Sequence, residues 1–295
     1  MATLLKTSGL YFRALRVYQW TKNLLVLAAL VFAQQLDNPE MVRTGLLAYL
    51  SFCFAASATY LFNDIIDLEN DRVHPEKRHR PIASGAVPLS HAWAMLLVLF
   101  AMSLGLAYCI RLPFLAAVVF YIVETLLYSL ILKQVAILDV MAVALGFVVR
   151  AVAGALALDV SFSNWLVVCS FFLALLLTLG KRRHEIALMD GGASSHRKVL
   201  EYYSIHFLDQ LILMMACSSM ITYTIYTCSP EVVERLGTDH LYMTLPFVVY
   251  GLFRYLHLIH HKTGGGDPSS TLLKDWPLGA TVALWGIACC VIIYG

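Results

Sequence analysis

Between Tyr60 and Gly85 the chain reads YLFNDIIDLENDRVHPEKRHRPIASG, with nine charged residues directly after an apolar run. Carboxylates come first, at Asp64, Asp67, Glu69 and Asp71, and cations follow at Arg72, Lys77, Arg78 and Arg80. If the stretch is helical as far as Arg72, then Asn63, Asp64, Asp67 and Asp71 share one face within about a 100° arc, and Glu69 points elsewhere. Nothing forbids that helix before Pro75, which biases His74 out of the helical region. Like charges at this spacing repel by about a few tenths of a kcal/mol per pair, and a divalent cation removes the repulsion. Magnesium suits such an open set, because it is typically held by one or two carboxylates together with substrate phosphates. The competing reading is a solvated juxtamembrane loop whose acids happen to align. Against it, Ile65, Ile66 and Leu68 place the acids beside lipid or a cavity, where ionisable groups are functional by default.

The elements that must position these residues are set by composition. Of 295 residues 60% are hydrophobic and 14% charged, and mean hydropathy is +0.73. A soluble domain of this length could not bury that much apolar surface, so the chain reads as an all-α integral membrane protein forming one transmembrane catalytic domain over residues 1–295. Apolar runs long enough to cross a bilayer fall at about 22–36, 45–62, 91–110, 113–132, 137–158, 163–180, 206–228, 241–260 and 277–294, which predicts nine spans. The first run, Lys22 followed by NLLVLAALVFAQQ, imitates a signal peptide, but cleavage there would remove RVYQWTKN, and it is read as a span.

With the N-terminus inside, seventeen Lys and Arg lie on the cytoplasmic side against Arg43, Arg111 and Arg235 outside, with Arg150 inside a span. That excess places the N-terminus and the polar loops at 63–90, 181–205 and 261–276 in the cytoplasm, the membrane being the cell's inner (plasma) membrane. Seven cysteines fall in or at the ends of apolar runs with no CxxC spacing, so neither a disulfide framework nor a zinc site is indicated. The net charge of +2 is mostly this topology signal, and no nucleic-acid partner is implied.

NDIIDLENDR resembles the NDxxDxxxD motif of the UbiA-type intramembrane prenyltransferase superfamily. QWTKNLLVLA, the loop from Tyr60 to Gly85, YSLILKQVAILDVMAVALGFVVRAVAGA, LGKRRHE and GGDPSSTLLKDWPL together resemble its decaprenyl-phosphate phosphoribosyltransferase branch, from residue 16 to about 279. The resemblance implies nine helices bundled around a cavity open to the cytoplasm and sideways to lipid. It also implies magnesium held by Asn63, Asp64, Asp67 and Asp71, with phosphoribosyl pyrophosphate as donor and a polyprenyl phosphate as acceptor. Pyrophosphate would leave the anomeric carbon of ribose and the lipid phosphate would attack from the opposite face with inversion. No strong general base is needed, because a phosphate with a second pKa near about 6 is already ionised at neutral pH.

Aromatic prenyltransferases of the superfamily carry a second Asp-rich motif. Here that place reads LTLGKRRHEIALMDGG, with Glu185 and Asp190 but no DxxxD. Lys181, Arg182 and Arg183 stand there instead, either as the basic anchor of the span or, for the first two, as phosphate ligands. Phosphoribosyl pyrophosphate carries roughly five negative charges and a polyprenyl phosphate nearly two, more than metal on the acidic face neutralises. By the same resemblance Lys22, Asn23, Asn63, Arg72, Lys77, Arg80, Tyr128, Lys133, Asp139, Arg150 and Glu185 complete the expected substrate-binding set.

Arg150, inside a span, requires a partner. Asp139 on the same helix is about 16 Å away along the axis, so the partner must come from another helix or from substrate. Tyr60 and Tyr128 bond phosphate or form the interfacial aromatic belt. His74, His79, His184 and His196 read as loop residues. The alternatives are a prenyltransferase acting on an aromatic acceptor, which lacks its second motif here, and a cation transporter, which would carry acids deep in several spans. Only Glu124 is such an acid. Isoprenoid length and assembly as a homo-oligomer are left open by the sequence.

Overall fold

Apolar sequence this continuous can satisfy its backbone in a bilayer only as helix, and among the described residues every regular element is helical. The computed structural model of the chain describes residues 2–75, 77–161, 163–190, 198–261, 271–272 and 274–295. TGGGDPSS, His196, Arg197 and Lys262 lie outside them.

Helix α1 (Ala2–Leu15) is followed by a 3-10 segment, Val17–Leu27, that runs into α2 (Ala28–Phe32). Then come α3 (Pro39–Ile66), α4 (Leu68–Val73), α5 (Leu89–Ile110), α6 (Leu112–Leu130), α7 (Leu138–Leu158) and α8 (Asn164–Asp190). The chain closes with α9 (Ile205–Cys228), α10 (Pro230–Leu236), α11 (Leu245–His261) and α12 (Trp276–Tyr294). Seven of these, α3, α5, α6, α7, α8, α9 and α12, are long and apolar enough to cross a membrane, which makes the chain a multi-pass membrane protein. The other two expected spans correspond to the shorter Val17–Phe32 stretch and to α11, which has 17 residues.

α3 sets the position of the acids. Asn38 caps it, its Oδ1 accepting from the N–H groups of Glu40 and Met41, and Pro39 occupies the first turn. Its 28 residues extend about 42 Å, beyond a hydrocarbon core of about 30 Å, so the end carrying Asn63 and Asp64 reaches the polar boundary. The expected unbroken helix to Arg72 pauses at Asp67 (φ −87°, ψ 8°). The i to i−4 pattern nevertheless continues through it, from Asp67 N–H to Asn63 O and from Asp71 N–H to Asp67 O. α4 stops at His74, which is extended (φ −79°, ψ 131°) because Pro75 follows.

α7 is the central helix, packed between α6 and α8, with the 3-10 segment lying along it and α3. Its small residues permit this. A Cβ at Gly154 would stand 2.0 Å from the carbonyl oxygen of Val26, so the two backbones are in direct contact. Side chains three apart eclipse in a 3-10 helix, and Trp20, Asn23 and Val26 therefore face inward as one row. Trp20 Nε1 donates to Ser57 Oγ, while Asn23 and Val26 are fully buried. Outward faces expose Leu97, Met102, Leu213, Met214 and Val291, as a lipid-facing surface does.

Gly154→Ala is expected to push the 3-10 segment off α7 and lower the melting temperature in detergent, overpacking of this kind costing about 1–3 kcal/mol. Gly105→Ala, where nothing lies within 4 Å, should leave it unchanged. Thermal unfolding of the two variants checks this.

Candidate active site

Three carboxylates at the end of α3 and along α4 meet three cations brought from elsewhere in the chain. Asp64, 3% exposed, receives Arg16 Nη2 at 2.5 Å and Arg80 Nη1 at 3.0 Å, both on Oδ1. The same Arg80 nitrogen donates to Asp71 Oδ2 at 2.5 Å. Lys133 Nζ grips both oxygens of Asp67, at 2.7 and 2.9 Å. The sequence reading assigned the neutralising charge to a divalent cation; in the structure basic side chains supply it. Asn63 stands one residue before Asp64 on the same helix end.

The residues present fit a magnesium ion that completes its shell with substrate. Asp64 and Asp71 lie within hydrogen-bonding reach of one guanidinium nitrogen, an open pair of the kind that ion uses with phosphates. The fit is confined to that pair: among the described residues no group of three or more His, Cys, Asp or Glu is placed to hold a metal ion.

Arg16 is held in an unusual backbone state, φ 52° and ψ 45°, left-handed and less favourable by about 1–2 kcal/mol for a residue with a Cβ. The corner is fastened on both sides of it. Ser57 Oγ donates to Leu15 O and accepts from Trp20 Nε1, and the guanidinium lies 5.0 Å over the Tyr60 ring.

A second cluster surrounds Arg182, whose side chain is 2% exposed. Its Nε donates to Asp139 Oδ2 at 2.7 Å, Nη1 to Glu185 Oε2 at 2.7 Å and Nη2 to the Tyr128 hydroxyl at 3.2 Å. Asp139 also accepts from the Tyr203 hydroxyl at 2.7 Å, and burial, then the bond to Asp139, push that phenol up to about 12. The same hydroxyl accepts from Ile137 N–H at 2.6 Å, fastening a turn in which Ile137 has φ 71°, a strained value for a β-branched residue. The sequence reading gave Arg182 a substrate phosphate; the structure gives it two carboxylates of the chain, because a guanidinium this buried requires them. Lys181 is partly buried, with Glu185, Lys22, Arg182 and Tyr128 as the charged and polar groups acting on it.

Deeper in the bundle Arg150 finds its two side-chain partners on other elements and one backbone partner on its own helix. Nε donates to Asn23 Oδ1 at 2.7 Å, Nη2 to the Tyr121 hydroxyl at 2.8 Å and Nη1 to Gly146 O at 2.7 Å. Glu124 is buried beside the same guanidinium. Arg72 forms an exposed pair with Glu69 at 2.9 Å, and Lys77 starts a short 3-10 turn, its N–H donating to His74 Nδ1 at 3.3 Å.

The sequence and the helical bundle match known proteins. The profile of the UbiA prenyltransferase family covers residues 23–276. The chain belongs to that family. It is similar to the decaprenyl-phosphate phosphoribosyltransferase of Mycolicibacterium smegmatis, 34% identical over 94% of this chain and 90% of that protein. The protein of the same name from Corynebacterium glutamicum is 33% identical over 96% of this chain and 86% of its own length. Among solved structures, a UbiA homolog from Archaeoglobus fulgidus bound to GPP and Mg2+ superimposes with a TM-score of 0.72. That likeness covers 96% of this chain and all of the other at 20% identity, and it concerns the fold.

Within this UbiA-family site, Arg16, Tyr121 and Tyr203 were not singled out from sequence. Arg16 was visible only as one more basic residue of the cytoplasmic side, and no local pattern marks either tyrosine as a partner of a helix far along the chain.

Asp139→Asn is expected to destabilise the protein by about 3 kcal/mol, because Arg182 is left buried with less countercharge. Replacing both partners, Asp139→Leu with Arg182→Met, should recover much of the loss. Unfolding in detergent measures both.

Proposed function

We propose that this membrane enzyme transfers 5-phosphoribose from phosphoribosyl pyrophosphate to a polyprenyl phosphate of the decaprenyl phosphate type, releasing pyrophosphate. The observation that carries the reading is an acidic face met by cations, together with basic residues at the end of α8 where a second acidic motif would serve a prenyl diphosphate. Asp64, Asp67 and Asp71 stand with Arg16, Arg80 and Lys133, and Lys22 and Lys181 lie near the Arg182 cluster. A prenyl diphosphate has one charged end and an apolar tail. Phosphoribosyl pyrophosphate has charge at both ends, and the lipid phosphate adds a third anionic group, so the substrates call for cations on more than one side. The relatives' names support the same donor and acceptor classes.

Asn63, Asp64, Asp67 and Asp71 would hold magnesium, which when bound neutralises charge developing on the departing pyrophosphate. Arg80 and Lys133 orient the donor phosphates, and the bundle's apolar wall excludes water that would compete with the acceptor. The bond from the anomeric carbon to the pyrophosphate oxygen breaks as a bond to a lipid phosphate oxygen forms on the opposite face, inverting that carbon. No proton need be removed, because the acceptor is already ionised. The product is a lipid-linked phosphosugar of the kind that cell-wall arabinan precursors require. In the topology that goes with this reading, Val17–Phe32 and α11 also cross the bilayer, which makes nine spans with the N-terminus and the site at the cytoplasmic face of the inner membrane.

Purified protein given magnesium, labelled phosphoribosyl pyrophosphate and a polyprenyl phosphate should move label into the organic phase. Chelation should stop the transfer, and Asp64→Asn or Asp71→Asn should slow it by about 100-fold or more. Transfer seen only with a prenyl diphosphate and an aromatic acid would overturn the reading in favour of an aromatic prenyltransferase.

A further inference from the structure

We infer that Arg16 is a diphosphate-binding residue of the donor site, with Asp64 occupying its guanidinium until the donor arrives; this rests on the reading that the acidic face receives a diphosphate with metal. Two guanidiniums, from Arg16 and Arg80, converge on the single oxygen Oδ1 of Asp64. A point where two guanidiniums converge suits an anionic oxygen of a phosphate as well as one of a carboxylate. When a metal takes over the Asp64 carboxylate, Arg16 loses that partner and Arg80 keeps only Asp71, at the place where phosphate oxygens would complete the metal's shell.

The backbone gives an independent reason. A left-handed residue closing a helix is commonly glycine, yet an arginine stands here at φ 52°. Strain kept at one residue persists where the surroundings over-determine it and clusters at ligand clamps. The surroundings here are the Ser57 bonds to Leu15 and Trp20 and the Tyr60 ring beneath the guanidinium. Arg16 also remains accessible, with 18% of its side chain exposed against 3% for Asp64, so a soluble diphosphate can reach it.

Charge balance adds a consequence for order. Three carboxylates already face three cations, and a bare divalent ion would add charge to a balanced cluster. Metal and diphosphate therefore bind together, with Arg16 passing from Asp64 to the diphosphate.

Arg16→Gly removes the side chain while suiting the left-handed backbone, and Arg16→Lys keeps the charge without the fork. The probe is inorganic pyrophosphate titrated calorimetrically into detergent-solubilised protein with and without magnesium. Wild type should bind magnesium and pyrophosphate together far more tightly than either alone. In Arg16→Gly the affinity for magnesium pyrophosphate should fall at least about tenfold, with Arg16→Lys intermediate. In the transfer assay the donor KM should rise in parallel while the acceptor KM stays unchanged. Unchanged pyrophosphate affinity in Arg16→Gly, even with a lowered melting temperature, would reduce Arg16 to a structural tie and overturn the inference. A wild type that does not bind magnesium pyrophosphate would overturn it as well. A wild type that binds the probe but takes no label from phosphoribosyl pyrophosphate defeats the sugar-donor reading alone, and the titration still decides Arg16.

Discussion

A carboxylate at the edge of a low-dielectric bundle must have its charge answered, and that constraint organises the end of this protein where α3 meets α4. Asp64 is almost completely buried, where an unpaired charge would cost several kcal/mol. The answer comes from Arg16 before the first transmembrane stretch and Arg80 after α4, while Lys133 beyond α6 serves Asp67. Each tie crosses from one element to another. The charged residues thus join the N-terminal corner, the α3–α4 junction and the α6–α7 turn at one place, although the apolar faces of those helices could slide past each other.

The three clusters share supports in a definite order. α6 carries Tyr121 toward Arg150, Tyr128 toward Arg182 and, just past its end, Lys133 toward Asp67. α7 carries Asp139 near one end and Arg150 deeper in the bundle. Arg150 and Arg182 are enclosed by protein partners, whereas Arg16, Arg80 and Lys133 are more exposed where they pair with their acids. The buried contacts hold the frame, and the more accessible ion pairs lie at its polar edge.

Legibility in the sequence followed sequence distance. The acidic stripe was readable because helical periodicity is local, and the single residue at Asp67 where the helix pauses leaves the order of the acids unchanged. The stop at His74 was readable from Pro75. That Arg150 must reach past Asp139, to another helix or to substrate, followed from helix length alone. The identities of the countercharges were not readable: Arg16 and Asp64 lie 48 residues apart, Lys133 and Asp67 66, and Arg150 and Asn23 127. A lysine or arginine looks the same in sequence whether it anchors a span or answers a carboxylate. The helix count was less legible at two places, since the 3-10 winding of Val17–Leu27 and the shortness of α11 have no hydropathy signature.

That winding alters the reach of the chain. A 3-10 helix advances about 2.0 Å per residue against about 1.5 Å in an α-helix. Eleven residues so wound followed by the five of α2 therefore measure about 30 Å end to end, the thickness of the hydrocarbon layer. A stretch short in residue number is thus drawn out to a length that a regular helix would need more residues to reach, and Lys22 and Asn23 sit farther along its axis than α-helical winding would carry them.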